Sequence, residues 1–450
     1  MPAKKDEMNK LEKVDDSSKK KSKTPEHLRG FRDILPEEQA YWNLVEDTAR
    51  KISTDYSFGR IRLPMLEKTV LFERSVGKGT DIVEKEMFSF TDQGNDRVTM
   101  RPEATAQVAR AYIEHGMLNL PQPVKLWYFG PMFRYDRPQS GRYRQFHQWG
   151  LEAIGSAEPV IDAQVIIMLD RFMKELGLDT VVKINSIGTS ESRREYVMEL
   201  ASYFKQFRSK LSDVDKKRLT KNPLRLLDSK EEGMDELREN APQILDWIDE
   251  TSKQNLMKVL EYLDEVDVAY ELDPFLVRGL DYYSRTVFEI LPVAEESQGD
   301  EESKSQSSLA GGGRYDGLIP LLGGRDDVPA MGAAVGIERV ILAMKNKGVD
   351  VPKRRTVDVF FAQLGDAARR KGLAMFEEFR VSGIPVAEAF GKGSLKAQLE
   401  LADKMEAKLS LILGQKEVLD GTIIIRDMES GGQEIVDAKK VVDIVRRRLG

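Results

Sequence analysis

At 450 residues the chain is too long for one ordinary core, so two or three domains are expected, and 41% hydrophobic residues suffice to pack them. A net charge of −6 gives no whole-protein electrostatic case for nucleic acid, so any such role must rest on local patches. The absence of cysteine excludes disulfides, thiolate metal sites and a cysteine nucleophile; with only His27, His115 and His147, a histidine-rich metal centre is not expected.

Residues 1–25 read as a tail. Within 1–23, eight lysines face five acids and large apolar side chains are almost lacking. A solvated tail and a basic arm touching RNA phosphates are both open readings. No apolar run approaches the roughly 18 residues of a membrane span, and no signal-peptide core opens the chain, so a soluble cytoplasmic protein is expected.

At "LPEEQAYWNLVEDTARKISTDY" Pro36 and the following acids predict a helix start, with Trp42, Val45 and Ala49 at helical spacing. "FGRIRLPML" predicts a short strand stopped by Pro64. "EMFSFTD" and "DRVTMRP" predict a hairpin turning at Gly94, and "EATAQVARAYIEHG" a helix closed by a left-handed Gly116. Two strands follow, "VKLWYFGPMFRYD" and "RYRQFHQWGLEAIG", joined by the turn-prone "RPQSG". Residues 189–270 read as helical throughout and so as a subdomain inserted into a strand-rich chain. The acidic stretch 295–308 sits between strand-like "TVFEILPV" and glycine-rich "LAGGGRYDG", as a long hairpin tip would. A polar linker over 346–356 precedes strand and helix alternation over 357–450, an independent α/β domain.

Two phosphate-loop look-alikes fail. In "VGKGTD" and "FGKGSL" the lysine is followed by glycine, whereas the loop needs Ser or Thr there. The charge that matters is local: residues 125–148 carry five basic side chains (Lys125, Arg134, Arg137, Arg142, Arg144) against one acid, Asp136. Paired guanidiniums at Arg134 and Arg142 suit a polyphosphate; a solvated basic loop is the plainer alternative. In "FLVRGLDYYSRTVFEI" the alternation from Tyr282 puts Tyr282, Ser284 and Thr286 on one face and Tyr283, Arg285 and Val287 on the other. A strand built only for a core would not hold Arg278 and Tyr283, which are costly to bury unpaired.

The segments "TMRPEATAQVARAYIEHG", "GPMFRYDRPQSGRYRQFHQWGLEAIG", "LVRGLDYYSRTVFEI", "GGGRYDGL" and "AAVGIERVILAM", in that order, resemble the signature blocks of histidyl-tRNA synthetases, a class II aminoacyl-tRNA synthetase family. "LRGFRDILPEE" is similar to the family's opening. Ala104 and Ile337 depart from residues many relatives carry and remove no polar group.

The resemblance implies an α+β catalytic core over 26–345, with a mostly antiparallel class II sheet and the 189–270 helical insertion, and an α/β anticodon-binding domain over 357–450. It implies ATP as substrate with Mg2+ carried by the triphosphate, no protein metal site, no organic prosthetic group, tRNA-His and L-histidine as partners, and a homodimer. By resemblance Arg134 contacts the α-phosphate, Arg142 and Arg339 the β/γ end, and Arg278 is the catalytic arginine bridging substrate carboxylate and α-phosphate. Glu152 takes an imidazole N–H, Tyr283 faces the other nitrogen, and Tyr282 and Tyr315 line the pocket. Glu103, Thr105 and Gln148 bind the α-amino group, although "RPEAT" would equally serve as a helix cap. The anticodon role finds no support in charge, since residues 356–450 hold fifteen basic and fifteen acidic side chains. The competing reading is a histidine-binding regulatory paralogue that acts with ATP phosphoribosyltransferase and charges no tRNA.

Overall fold

The structure, a computed structural model, describes residues 25–449 except 78, 79, 81, 230, 232, 281, 294–307, 327, 352–356, 390 and 392. The tail to residue 24, the acidic stretch to residue 307, the second half of the linker and the centres of both phosphate-loop look-alikes lie outside the described residues. The chain divides into two compact units. One comprises Trp42–Val349 with the described residues before Pro36; the other comprises Asp350–Gly450 with Pro36–Tyr41.

The strands of the first unit are β1 (Gly59–Arg60), β2 (Leu66–Lys68), β3 (Phe88–Thr91), β4 (Arg97–Met100), β5 (Val124–Phe133), β6 (Gln145–Ile154), β7 (Thr180–Ser186), β8 (Tyr270–Leu272), β9 (Ser284–Pro292), β10 (Ala310–Arg314) and β11 (Ala330–Gly336). Eight of them form one sheet in the order β1-β5-β6-β11-β10-β9-β7-β8, and β2-β4-β3 form a small second sheet. The large sheet is antiparallel except at its two edges, where β1 pairs with β5 and β8 with β7 in parallel. It is the mixed α+β core that the resemblance implies.

Period-two alternation decides which side chains face the site. In β6, Trp149, Leu151 and Ala153 are buried, and Trp149 meets Phe172 of the helix Pro159–Glu175 at 4.6 Å between ring centroids. Gln148, Gly150 and Glu152 therefore point to the opposite face. Strand register carries this face across the sheet. One row runs Tyr128, Gly150, Ala334, Gly311, Glu289, and the next Leu126, Glu152, Gly332, Gly313, Val287.

Gly94 lies in the turn of the β3–β4 hairpin, where the Asn95 N–H donates to the Asp92 carbonyl at 3.1 Å and Asn95 is left-handed (φ 66°), a region asparagine tolerates. The alternation read from Tyr282 onward does not hold. β9 begins at Ser284, Arg285 is left-handed (φ 49°), and the pairing slips so that Arg314 faces Ser284 while Gly313 faces Val287. This bulge releases Tyr282 and Tyr283 from opposite faces, and both turn into one cavity. Gly116 does close its helix in the left-handed region (φ 60°).

The inserted region forms the helices Ser190–Gln206, Asp213–Lys221, Met234–Glu239 and Glu250–Asp264. Thr189, Ser212 and Asp249 cap three of them by accepting backbone N–H groups. Tyr196, Leu200, Phe204 and Ile244 of the insert share one apolar cluster with Ile187, Leu276 and Val287, so the insert packs onto the catalytic core as part of it.

In the second unit, β12 (Val359–Gln363), β13 (Val386–Glu388), β14 (Leu409–Leu413), β15 (Thr422–Asp427) and β16 (Gln433–Asp437) lie in the order β13-β12-β14-β15-β16. The first three are mutually parallel, and helices cover both faces. A short helix, Gln415–Asp420, is absent from the sequence expectation. It is too brief to show periodicity and is started by Glu417, whose carboxylate accepts the Gly414 N–H at 2.9 Å.

Candidate active site

One cleft on the open face of the large sheet gathers Glu103, Thr105, Arg134, Arg142, Gln148, Arg278, Tyr282, Tyr283, Tyr315 and Arg339 along its wall. Glu152 lies beneath, fully buried, and reaches the cleft through its bonds to Thr105 and Tyr315. Every side chain to which the resemblance gives a role is thus in or under one space, although Glu103 and Arg339 are 236 positions apart; Lys125, Arg137 and Arg144 of the basic stretch do not line it.

The cleft has a cationic half. Arg134 follows β5 directly; its Nε donates to the Pro102 carbonyl at 2.8 Å, and its guanidinium stands 5.3 Å from the Phe146 ring centroid. Arg142 pairs loosely with Asp136 at 3.4 Å. Arg339 lies in the first turn of the helix Ile337–Asn346 and donates to the Ser308 carbonyl at 2.7 Å. Burial, and then the nearby charges of Arg142 and Arg134, push the Arg339 guanidinium down to about 10. Like charges held this close in a partly dry site are an anion site in waiting.

Arg278 stands between the halves. Its Nη1 donates to Glu289 and its guanidinium lies 5.9 Å from the Tyr283 ring centroid, while its Nε is buried without a partner among the described residues. Burial alone would lower this group, but Glu289 and the two tyrosines outweigh it and hold it above its ordinary value. The floor beneath is Gly311, where a Cβ would sit 2.7 Å from the guanidinium.

The other half is acidic and phenolic. Glu152 accepts from the Thr105 hydroxyl at 2.7 Å and from the Tyr315 hydroxyl. Burial drives its carboxyl up to about 8 despite these bonds, and the nearby charge of Glu103 adds to the rise. Gly332 makes room for it, since a Cβ there would be 1.9 Å from Glu152 Oε2. Glu103 is pushed up to about 6 by burial and accepts the Ala106 N–H at 3.2 Å, so the plain capping reading of this residue is realised as well. Thr105 does not cap; its hydroxyl turns to Glu152 instead. Tyr282 packs on Tyr283 and Tyr315 with ring centroids 4.7 and 5.7 Å apart. Gln148 Oε1 is buried and has no partner among the described residues.

Sequence reasoning missed four participants. Tyr128 lines the cleft, and Gly150 opposite it leaves space for its ring; its parity with Leu126 and Gly130 was the available signal. Glu289 shares parity with Val287 and faces Arg278. Glu338 accepts the His147 backbone N–H at 2.9 Å and approaches its ring Nδ1 at 2.9 Å, tying the helix of Arg339 to β6. Arg314, entirely buried, pairs with Asp162 and with Asp316 at 3.2 Å and so anchors the strand end that presents Tyr315. No local pattern marks the last two, because their partners are remote in sequence.

Comparison with known proteins agrees with this geometry. The model of the histidyl-tRNA synthetase family matches residues 30–340, and the model of the anticodon binding domain matches residues 358–448. A histidine–tRNA ligase of Dehalococcoides mccartyi is 44% identical over 422 residues, which cover 94% of this chain and 99% of that one. One of Desulforamulus reducens is 43% identical, over 93% of this chain and 98% of its own. Among solved structures, apo histidyl-tRNA synthetase of S. aureus aligns with a TM-score of 0.76 at 34% identity, covering 94% of this chain and 99% of that one.

Proposed function

From the premise that this chain belongs to the histidyl-tRNA synthetase family, we propose how the cleft divides the labour of the reaction. The protein is an ATP-dependent aminoacyl-tRNA ligase. It activates L-histidine with ATP to histidyl-adenylate and transfers the histidyl group to the 3′ end of tRNA-His.

In the first step the histidine carboxylate attacks the α-phosphorus and pyrophosphate leaves. In the second, a terminal ribose hydroxyl of the tRNA attacks the activated carbonyl and AMP leaves. Neither needs a protein nucleophile; positioning and charge stabilisation carry both. Arg134 holds the α-phosphate, Arg142 and Arg339 hold the β/γ end, and Arg278 bridges the carboxylate and the α-phosphate. A guanidinium suits this last place because it stays charged while negative charge shifts between two anions. The observation that carries the reading is the crowding of Arg134, Arg142 and Arg339, whose mutual repulsion an incoming triphosphate relieves.

Histidine sits in the phenolic half. Its imidazole N–H donates to Glu152, which loses its proton as the donor arrives. Tyr283 faces the second ring nitrogen, and Tyr282 and Tyr315 enclose the ring. Glu103, Thr105 and Gln148 accept from the α-ammonium group; the unpartnered Gln148 Oε1 supports this. A site built on hydrogen bonds to a polar ring rejects apolar analogues by roughly 10⁴-fold.

Mg2+ enters with ATP. The triphosphate oxygens would be its main ligands, and the ion would offset their charge. The C-terminal α/β unit is assigned to the tRNA anticodon. A cytoplasmic location fits the described residues, in which no helix is long and apolar enough to cross a membrane. A homodimer fits the exposed apolar side chains Met65, Leu66 and Val70 beside the small sheet. The regulatory-paralogue reading is less supported, because such a protein would be expected to lack the anticodon module that matches here.

The test is exchange of labelled pyrophosphate into ATP. It should require L-histidine, and Arg278→Ala should abolish most of it without unfolding the protein. Exchange driven by another amino acid, or none with histidine, overturns the assignment.

A further inference from the structure

The loop from Arg278 to Tyr283 is held from outside the catalytic sheet. Two of its carbonyls each accept a guanidinium N–H from the inserted helices. Arg225 Nη2 donates to Gly279 O at 2.7 Å, and Arg193 Nη1 donates to Tyr283 O. Arg193 lies one turn into the helix Ser190–Gln206, and Arg225 lies in the short 3-10 turn Pro223–Leu226. A third tie runs from Lys221 to Glu84 at 2.8 Å, in the short helical segment whose Ile82 lines the active cleft.

Inside the cleft few groups fix Arg278: Glu289 accepts from its Nη1, Tyr283 lies beside the guanidinium, and its Nε finds no partner among the described residues. Its placement therefore depends on the backbone that carries it, and that backbone is pinned near both ends by charged donors from the insert. Hydrogen bonds from a charged group are about twice as strong as neutral ones, and two at separate points fix the orientation of a short loop.

We propose that Arg193 and Arg225 are positioning residues for amino-acid activation, through which the inserted helical subdomain sets the geometry of Arg278, Tyr282 and Tyr283. This rests on the reading of the cleft as the histidine and ATP site. The competing role is phosphate binding: Arg193 and Arg225, with Arg194 and Asn222, also line a second cleft between the insert and the loop. The donation of both guanidiniums to carbonyls of their own chain favours positioning, and Arg194, which makes no bond to the loop among the described residues, serves as the control.

The full-length protein and its Arg225→Ala and Arg193→Ala variants are to be compared in histidine-dependent pyrophosphate exchange without tRNA, in aminoacylation with tRNA, and in thermal melting. The inference expects kcat/KM for histidine in exchange to fall about tenfold or more. Melting should shift by less than about 2 °C, Arg225→Lys should recover part of the loss, and Arg194→Ala should exchange normally. If an alanine variant does not fold, the lysine variants carry the test, with a smaller loss in the same direction. Normal exchange with impaired aminoacylation would assign the arginines to RNA and overturn the inference. So would exchange lost only in step with the melting temperature. A wild-type protein that fails to exchange would instead sink the reading of the cleft.

Discussion

Arg339→Met tests the cationic cluster most directly, because two consequences of opposite sign follow from one change. Burial and the charges of Arg142 and Arg134 bring the Arg339 guanidinium from its ordinary value down to about 10. That corresponds to roughly 3 kcal/mol against the cationic form in the folded, ligand-free protein. A cation whose folded value is depressed destabilises the fold at every pH below that value, so the full penalty is present at neutral pH. Methionine keeps much of the apolar stem and the helical propensity and loses the charge-assisted bond to the Ser308 carbonyl, a cost of about 1.5–3 kcal/mol. The ligand-free variant should therefore be as stable as wild type or more stable by about 1 kcal/mol. ATP binding should suffer, since one charge-assisted contact is worth about 1.5–3 kcal/mol, a rise in KM for ATP of roughly 10- to 100-fold. Scanning fluorimetry with and without ATP, beside pyrophosphate exchange, reads both effects. A variant that melts several degrees lower alone, yet keeps the full ATP-induced shift, would refute the argument that these guanidiniums are assembled for an anion.

Glu152 gives a pH signature. Its carboxyl is raised to about 8 in the fold from an ordinary 4.5, so the folded state holds the extra proton and stability falls as pH rises through that window, levelling above it. Urea unfolding from pH 5 to 8.5 should show part of that decline vanish in Glu152→Gln, with exchange activity lost; an unchanged slope would count against it. Gly311→Ala should impair exchange with little loss of stability, because the atoms nearest the added Cβ are the movable end of Arg278. Gly312→Ala should destabilise the fold, because its Cβ meets the Gly332 carbonyl at 2.2 Å; equal behaviour of the two variants contradicts the packing. Asp162→Asn leaves the fully buried Arg314 short of a counter-charge and should cost about 3 kcal/mol in urea unfolding. Sedimentation should show a dimer that Val70→Asp weakens.

The site was legible where chemistry and local pattern coincide. Arg134 and Arg142 flank one turn, Gln148 and Glu152 share strand parity, and "RPEAT" sits at a helix start, so a short window carries each. Tyr282 and Tyr283 were both singled out but wrongly separated onto opposite faces. The bulge at Arg285 depends on pairing with β10, residues that lie some way downstream. Glu289, Glu338 and Arg314 went unread for the same reason. Each is an ordinary charged residue until the partner that defines it arrives through sheet register: Arg278, His147 or Asp162. Of the fold, the insert and the C-terminal alternation were visible through long periodic runs, whereas Gln415–Asp420 was too short to leave a trace.

The row Gly150, Ala334, Gly311 across the middle of the sheet has a consequence for how this site could ever be altered. Most pockets are enlarged by shaving a residue from the base. Here two of the three central positions already lack any side chain and the third has a single methyl group, so almost nothing remains to remove. Accommodating a bulkier amino acid would have to come from the rim, by retreat of the tyrosines or of the helices that hold their loop. Breadth of substrate is thus largely a property of moving parts in this enzyme, and these three positions can change only by shrinking the room available.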